Sequence, residues 1–344
     1  MRQQWSLSSV VSLLVVCFSW QPLLAQDPEV RRAVPVDRRA SAAPAAPFES
    51  QETQENPENP RSAGRASVAL TPPSISALAI YPSTAPVTVA SSAIMIDART
   101  GSTIFFKNPD VRRPVASTQK LLTALLVAEH GALDSRVRVA ADDCAVEPTK
   151  LGVRSGEVYT KRELLGAMLV HSCNDAAVCL ARNDAGSVEA FARLMNAKAL
   201  SLGVANSHFI NPNGLPKSGQ FSTARDMARI AFAAYHNSTL RQFIRLPGLI
   251  FTYNSGRQRF LEPTNKLVTR SPIFTGMKTG YTGASGRCLI SSASNGEREI
   301  ILVQLGGTHH VLWDDAERLL LWGLDSRAAS STFATSGSVN GSER

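Results

Sequence analysis

Three stretches with different apolar patterns follow one another along the middle of the chain. In the first stretch, two apolar runs at residues 92–97 and 103–106 flank turn-forming residues at 99–102. Two such runs around a short turn predict a β-hairpin, which we expect at one edge of a sheet.

The second stretch has helical character and begins with residues 121–127, which are apolar nearly all round. Such a segment predicts a buried central helix, opening at Ala116–Ser117 and ending at Gly131. Thr160 and Glu163 have the spacing of a helix capping box. Further helices are expected over residues 164–170, from 175 onward, and over 189–202, 223–234 and 313–323.

The third stretch returns to β signals from Gly248 onward. The segments 277–279, 287–291 and 299–303, joined by short loops, predict successive antiparallel strands. The pattern as a whole predicts an α/β (α+β) fold, in which an antiparallel sheet packs against a helical cluster in one catalytic domain.

The two ends of the chain differ from this middle part. Residues 1–25 predict a signal peptide, with Arg2 before an apolar run and Ala25 at the expected cleavage site; an uncleaved anchor is the alternative. Residues 26–75 form a Pro-, Ala- and Glu-rich segment that we expect to be a disordered linker, and 326–344 a disordered tail. The catalytic domain is therefore expected over 76–325, in a protein exported to the periplasm or another extracytoplasmic site.

The formal net charge of +8 suits an anionic envelope or a substrate that carries carboxylates. Basic residues form no dense run with interleaved aromatic residues, so we expect no nucleic-acid partner. Four cysteines follow the signal segment, and their spacing fits no zinc site; we expect free, buried thiols, with one disulfide still open as an alternative. These cysteines are Cys144, Cys173, Cys179 and Cys288. Neither a metal nor a cofactor is expected.

Three short motifs occur in one order: Ser117-Thr118-Gln119-Lys120, Ser172-Cys173-Asn174 and Lys278-Thr279-Gly280. Together they are typical of a serine nucleophile that is activated by lysine. Lys120 follows Ser117 by three residues. On a helix the two side chains would lie on the same face, and Lys120 could reach Ser117 Oγ as general base. We expect burial and a second cation, Lys278, to lower the pKa of Lys120, which would leave Lys120 neutral and Lys278 charged.

The other two motifs would complete the site. Ser172 could relay a proton to the leaving amine, and Asn174 could bind a substrate amide, although helix capping is the competing interpretation. We expect the third motif on an edge strand, where a peptide can pair and Gly280 leaves room. The side chains of Lys278 and Thr279 could hold a terminal carboxylate. The backbone N–H groups of Ser117 and Tyr281 are expected to form the oxyanion hole.

These motifs resemble those of the penicillin-binding serine/lysine family of D-alanyl-D-alanine carboxypeptidases, the low-molecular-mass class. The resemblance runs from about Ala93 to Leu324 and includes further segments at 155–159, 172–177, 209–215, 222–228, 276–282 and 306–307. It implies a β-lactamase-like fold and release of the terminal D-Ala from peptidoglycan stem pentapeptides through an acyl-enzyme on Ser117. It also implies acylation by β-lactams.

The chain departs from the family pattern in two ways. Cys173 replaces the usual alanine, and no β-rich second domain or amphipathic C-terminal helix follows the closing helix, so we expect no C-terminal membrane anchor and a monomer. A class A β-lactamase is disfavoured because no glutamate occurs between Glu189 and Glu262. A DD-endopeptidase that cuts cross-links stays open, and a non-catalytic wall-binding module is disfavoured by the complete set of reactive groups.

Overall fold

A computed structural model of the chain describes residues 85–308 and 311–325. The predicted signal peptide, linker and C-terminal tail lie outside the described residues, and the domain bounds stay a prediction. No helix among the described residues is long and apolar enough to cross a membrane.

The described part of the chain contains nine strands and eight α-helices. The strands are β1 (Ser92–Asp97), β2 (Thr103–Lys107), β3 (Arg136–Arg138), β4 (Val158–Thr160), β5 (Leu249–Thr252), β6 (Gln258–Leu261), β7 (Phe274–Thr282), β8 (Gly286–Ser294) and β9 (Glu299–Gly307). The helices are α1 (Lys120–His130), α2 (Ala141–Cys144), α3 (Lys161–Val170), α4 (Asn174–Ala185), α5 (Val188–Ser201), α6 (Ala224–His236), α7 (Ser238–Ile244) and α8 (Leu312–Leu324).

Five of the strands form one antiparallel sheet in the order β2-β1-β9-β8-β7. The last strand, β9, lies beside the first, β1, and pairs with it, for example Val303 with Ile94. The two predicted β regions therefore belong to a single sheet. The predicted edge position of the β1–β2 hairpin is confirmed. At the opposite edge, β7 pairs with β8 alone, which leaves its other side without a strand.

Both faces of the sheet are buried, and the alternation of side chains along each strand divides the core in two. Ile94 and Ile96 of β1 belong to the larger core, which lies between the sheet and the helices α1, α3, α4 and α6. Met95, one position away, packs with Leu319 and Leu320 of α8 in a smaller core on the other face. The predicted antiparallel sheet with a helical cluster is therefore confirmed.

The helix α1 lies at the centre of the helical cluster. Its residues from Lys120 to Val127 are all buried, as the apolar segment predicted, and Gly131 ends it with a φ of 74°. The predicted capping box is also present, because Thr160 Oγ1 accepts from Glu163 N and Glu163 Oε2 accepts from Thr160 N.

Several local details differ from the sequence-based expectation. The buried helix does not open at Ala116–Ser117, because residues Ala116–Gln119 form a separate 3-10 turn and α1 begins at Lys120. Asn174 is the first residue of α4 instead of a loop residue. The short pair β3–β4 and the helix α7 were not anticipated, since three and seven residues carry too little periodicity to stand out.

Cys173, Cys179 and Cys288 are buried, and Cys144 is half-buried. All four are free thiols, which confirms the expectation over the alternative of one disulfide.

Candidate active site

The position of Ser117 is defined by close contacts between backbones. Ser117 follows Ala116, which has a φ of 48°, in the 3-10 turn at the start of α1. A Cβ at Gly214 would lie 2.1 Å from Ala116 O, and a Cβ at Gly280 would lie 2.8 Å from Ser117 N. Two glycines are therefore required here, since any side chain at either position would displace the turn that carries Ser117.

The Lys120 side chain is buried beneath Ser117, with 0% of its surface exposed. Its Nζ lies 2.8 Å from Ser117 Oγ, 2.6 Å from Asn174 Oδ1 and 2.7 Å from Asn213 O. The two amide oxygens can only accept hydrogen bonds, so they take the two hydrogens of a neutral amine. The lone pair of that amine would then face the Ser117 hydroxyl, which is the arrangement a general base requires.

Both lysines of the site have lowered pKa values. Burial, together with the nearby charge of Lys278, holds the pKa of Lys120 well below its ordinary value. The sequence predicted that burial and Lys278 would lower the pKa of Lys120, and both effects are present. Burial also lowers the pKa of Lys278 to about 7, which sequence reasoning did not anticipate.

The second motif brings Ser172 to Lys278. Ser172 joins α3 to α4 with a φ of 67°, in the left-handed region that residues other than glycine seldom adopt. In this conformation its Oγ accepts a hydrogen bond from Lys278 Nζ at 2.8 Å. The Lys278 ammonium also donates to Thr279 O at 3.0 Å. Ser117–Lys120 and Ser172–Lys278 are therefore two serine–lysine pairs, and Asn174 touches the first of them.

Both polar atoms of the Asn174 side chain form hydrogen bonds within the protein. Its Nδ2 donates to Glu147 O and Pro148 O at 2.9 and 3.0 Å, and its Oδ1 accepts from Lys120. These contacts orient the amide oxygen toward Lys120. They leave no Nδ2 hydrogen for a substrate in this arrangement, whereas the sequence suggested both a donor and an acceptor.

The segment 147–152 that receives Asn174 is held from two sides. Asp175 accepts hydrogen bonds from Leu151 N and Gly152 N, both at 2.8 Å, which gives this carboxylate a structural role. On the other side, Arg259 Nη1 donates to Lys150 O and Leu151 O at 3.4 and 3.2 Å.

Arg259 also connects this segment to the residue before Ser172. Its Nη2 lies 3.2 Å from His171 Nε2, and His171 Nδ1 lies 2.9 Å from Glu262 O. A carbonyl oxygen only accepts, so Nδ1 carries the hydrogen and Nε2 accepts from Arg259. Sequence reasoning missed both residues, because an arginine on a short strand and a histidine at a helix end have no distinctive spacing.

The third motif lies on β7 at the free edge of the sheet, as predicted. Thr279 Oγ1 donates to Thr264 Oγ1 at 2.7 Å, and the adjacent Gly280 faces the Ser117 turn. Tyr281 is 58% exposed, and the guanidinium carbon of Arg287 lies 4.2 Å from the centroid of its ring. The edge of β7 is thus open to an extended peptide.

These groups line one open cleft of about 550 Å³. Ser117, Ser172, Asn174, Thr279, Gly280 and Tyr281 all border it, together with residues from segments 148–149, 262–266 and 312–313. The structure therefore brings together the residues of all three motifs, with the two lysines buried behind the serines. This arrangement can deprotonate a serine and bind an extended peptide beside it.

Comparison with known proteins agrees with this arrangement. The family model of the D-alanyl-D-alanine carboxypeptidases (peptidase S11) matches residues 81–309. A D-alanyl-D-alanine carboxypeptidase of Bacillus subtilis is 34% identical over 226 residues, which are 64% of this chain and 58% of the relative. A D-alanyl-D-alanine endopeptidase of Escherichia coli is 32% identical over 248 residues, 69% of this chain and 78% of the relative.

Solved structures show the same fold. The D-alanyl-D-alanine carboxypeptidase of Mycobacterium tuberculosis matches with a TM-score of 0.67 and 31% identity, over 71% of this chain and 96% of that one. The penicillin-binding, β-lactamase-like fold expected from the motifs is thereby confirmed. Taken with the two serine–lysine pairs at the edge of an antiparallel sheet, these matches show that the chain belongs to the D-alanyl-D-alanine carboxypeptidase family of serine peptidases.

Proposed function

We propose that this protein removes the terminal D-Ala from peptidoglycan stem pentapeptides through an acyl-enzyme on Ser117. The observation that carries this proposal is the 2.8 Å contact between Ser117 Oγ and Lys120 Nζ, with the pKa of Lys120 lowered by burial and by Lys278. A serine hydroxyl is a weak nucleophile at neutral pH and needs an adjacent base.

The reaction begins when Lys120 takes the Ser117 proton as Oγ attacks the carbonyl carbon of the penultimate D-Ala. Negative charge then develops on the carbonyl oxygen, where the backbone N–H groups of Ser117 and Tyr281 would stabilise it. Ser172, hydrogen-bonded to Lys278, would pass a proton from that ammonium to the leaving amine as the C–N bond breaks. Water would then attack the ester carbon and give a proton through Ser172 back to Lys278, and Ser117 Oγ would leave with the proton that Lys120 holds.

Substrate orientation follows from the charge of Lys278 and from the edge strand. The Lys278 ammonium and the Thr279 hydroxyl would bind the terminal carboxylate, which places the leaving D-Ala at that end of the cleft. The acyl part of the peptide would pair with β7 toward Tyr281. We also propose that the same serine is acylated by β-lactams, that the protein acts in the bacterial envelope outside the cytoplasm, and that it acts without a metal or cofactor.

The nucleophile can be tested with a fluorescent penicillin. Ser117→Ala should abolish covalent labelling, whereas Ser201→Ala, at an exposed serine at the end of α5, should be labelled like the wild type. Label retained on Ser117→Ala would exclude Ser117 as the nucleophile. Slow release of the label is expected, and rapid multiple-turnover hydrolysis of nitrocefin would instead indicate a β-lactamase.

A DD-endopeptidase is the second candidate, because a relative of that name matches this chain about as well as the carboxypeptidase relative does. Mass spectrometry of muropeptides incubated with the enzyme separates the two activities. Loss of a single alanine from pentapeptide stems indicates a carboxypeptidase. Conversion of cross-linked dimers to monomers indicates an endopeptidase.

A further inference from the structure

The free edge of β7 presents different residues on the two faces of the sheet. Lys278 and Gly280 face the helical side, where they meet Ser172 and the Ser117 turn. Since side chains alternate along a strand, Tyr281 lies on the opposite face, the side on which α8 packs. Arg287 of β8 is the register partner of Tyr281 and lies beside it.

Arg287 is a cation with unused hydrogen-bonding capacity at the wall of the cleft. Its guanidinium stacks on the Tyr281 ring at 4.2 Å, and it forms no ion pair with a carboxylate among the described residues. Its Nε is buried and has no hydrogen-bond partner in that part of the chain. A buried donor without an acceptor is costly, and a carboxylate is the ligand that a guanidinium binds in two-point geometry.

The surroundings of Arg287 fit a flexible, negatively charged side chain. Trp313 of α8 borders the cleft on the same face, and its ring and that of Tyr281 offer apolar surface to methylene groups. Lys266, which is exposed and borders the cleft, adds a second positive charge. Glu262 is the one acidic side chain among the described residues that line this cleft.

A peptide bound along β7 would place its side chains alternately on the two faces of the sheet. Ser117 would reach the scissile carbonyl carbon from the helical face. The residue before the D-alanyl-D-alanine unit would meet Tyr281 and Arg287 when its side chain points to the α8 face.

We propose that Arg287, with Tyr281 and Trp313, forms a subsite for a side-chain carboxylate on the residue that precedes the D-alanyl-D-alanine unit. This inference rests on the proposed function, and it names the class of stem peptide that the enzyme prefers. The preferred third residue is a diamino acid whose side chain ends in a free carboxylate, in contrast to one without a carboxylate or with that group amidated.

The test uses two synthetic tripeptides, N-acetyl-meso-diaminopimelyl-D-alanyl-D-alanine and the same peptide with its side-chain carboxylate converted to an amide. The two differ in charge and hardly in shape. For the wild-type chain, kcat/KM for D-Ala release should be about tenfold or more higher with the free carboxylate. Arg287→Met should reduce this ratio to about one, and Arg287→Lys should keep part of it.

Arg257→Met is the matched control, because Arg257 also stacks on a tyrosine, Tyr253, at 4.0 Å but does not border the catalytic cleft. The ratio of kcat/KM for the two tripeptides should be the same in Arg257→Met as in the wild type. A wild-type ratio near one, or an undiminished ratio in both Arg287 variants, would overturn the subsite.

Failure of the proposed function would look different from failure of the subsite. In that case neither tripeptide would release D-Ala from the wild-type chain, whether or not penicillin labels Ser117. Penicillin labelling of the Arg287 variants also verifies that they are folded, so that a changed ratio reports on the subsite.

Discussion

The first and second motifs are held in place by different kinds of contact. The turn that carries Ser117 is positioned by backbone packing, because Gly214 and Gly280 lie too close to it for any side chain. The loop that carries Ser172 is positioned by polar groups, in which Arg259 and Asp175 bind the neighbouring backbone. A single added methyl group is enough to displace a turn that is held by close packing. A loop that is held by several hydrogen bonds loses its position gradually as they are removed, and the strength of those bonds depends on charge.

The largest effect is expected at Gly214. In Gly214→Ala the new Cβ would lie 2.1 Å from Ala116 O, at a φ of 84°, and would displace Ser117. We expect acylation by fluorescent penicillin to slow by about 100-fold or more, since small displacements of a reacting group cost that much. Gly219→Ala is the control, because φ is 82° there but the nearest atom is 3.7 Å away. If acylation slows equally in both variants, the effect comes from backbone strain alone and not from displacement of Ser117.

The next effect concerns pH and the Lys278 charge. A lysine is charged below its pKa, so the free enzyme loses the Lys278 charge as the pH rises through about 7. We expect kcat/KM for D-Ala release to fall above pH 7 by about tenfold per pH unit. Lys278→Arg should keep its charge and show no falling limb up to pH 9, even if its rate is lower. A falling limb that persists in Lys278→Arg would assign that titration to another group.

A smaller effect is expected for the polar contacts of the second motif. Arg259→Met removes the hydrogen bonds to Lys150 O, Leu151 O and His171, and we expect kcat to fall about tenfold with little change in KM. Arg259→Lys should recover part of the rate, which loss of stability alone would not explain. Arg257→Met on the same hairpin is the control. An unchanged kcat in Arg259→Met would show that the loop positions Ser172 without this arginine.

The smallest effect is expected at Cys173, which lies between Ser172 and Asn174. Burial raises the pKa of its thiol to about 12, so the reactive thiolate does not form at neutral pH. Cys173→Ala should keep activity within about twofold, and iodoacetamide should not inactivate the wild type. Rapid inactivation that Cys173→Ala abolishes would contradict this expectation.

Sequence patterns predicted the long elements well and the local geometry poorly. The buried helix α1, the capped helix α3 and the three strands β7–β9 each have enough residues for a clear period. The 3-10 turn at Ser117 and the left-handed Ser172 carry no such signal, because each is imposed by distant contacts. The roles of Gly214 and Arg259 also have no local sequence signal, since the residues that they contact lie far away in the chain.

The sequence by itself determined the family of this protein. The types, order and local spacing of Ser117, Lys120, Ser172 and Lys278 predicted a lysine-activated serine, because that reaction demands those groups. The tertiary structure alone decided that both lysines are buried and have lowered pKa values, that Asn174 directs its oxygen to Lys120, and that Arg287 borders the edge of β7. Those properties depend on which distant segments exclude water from a group or offer it a partner, and no local pattern records that.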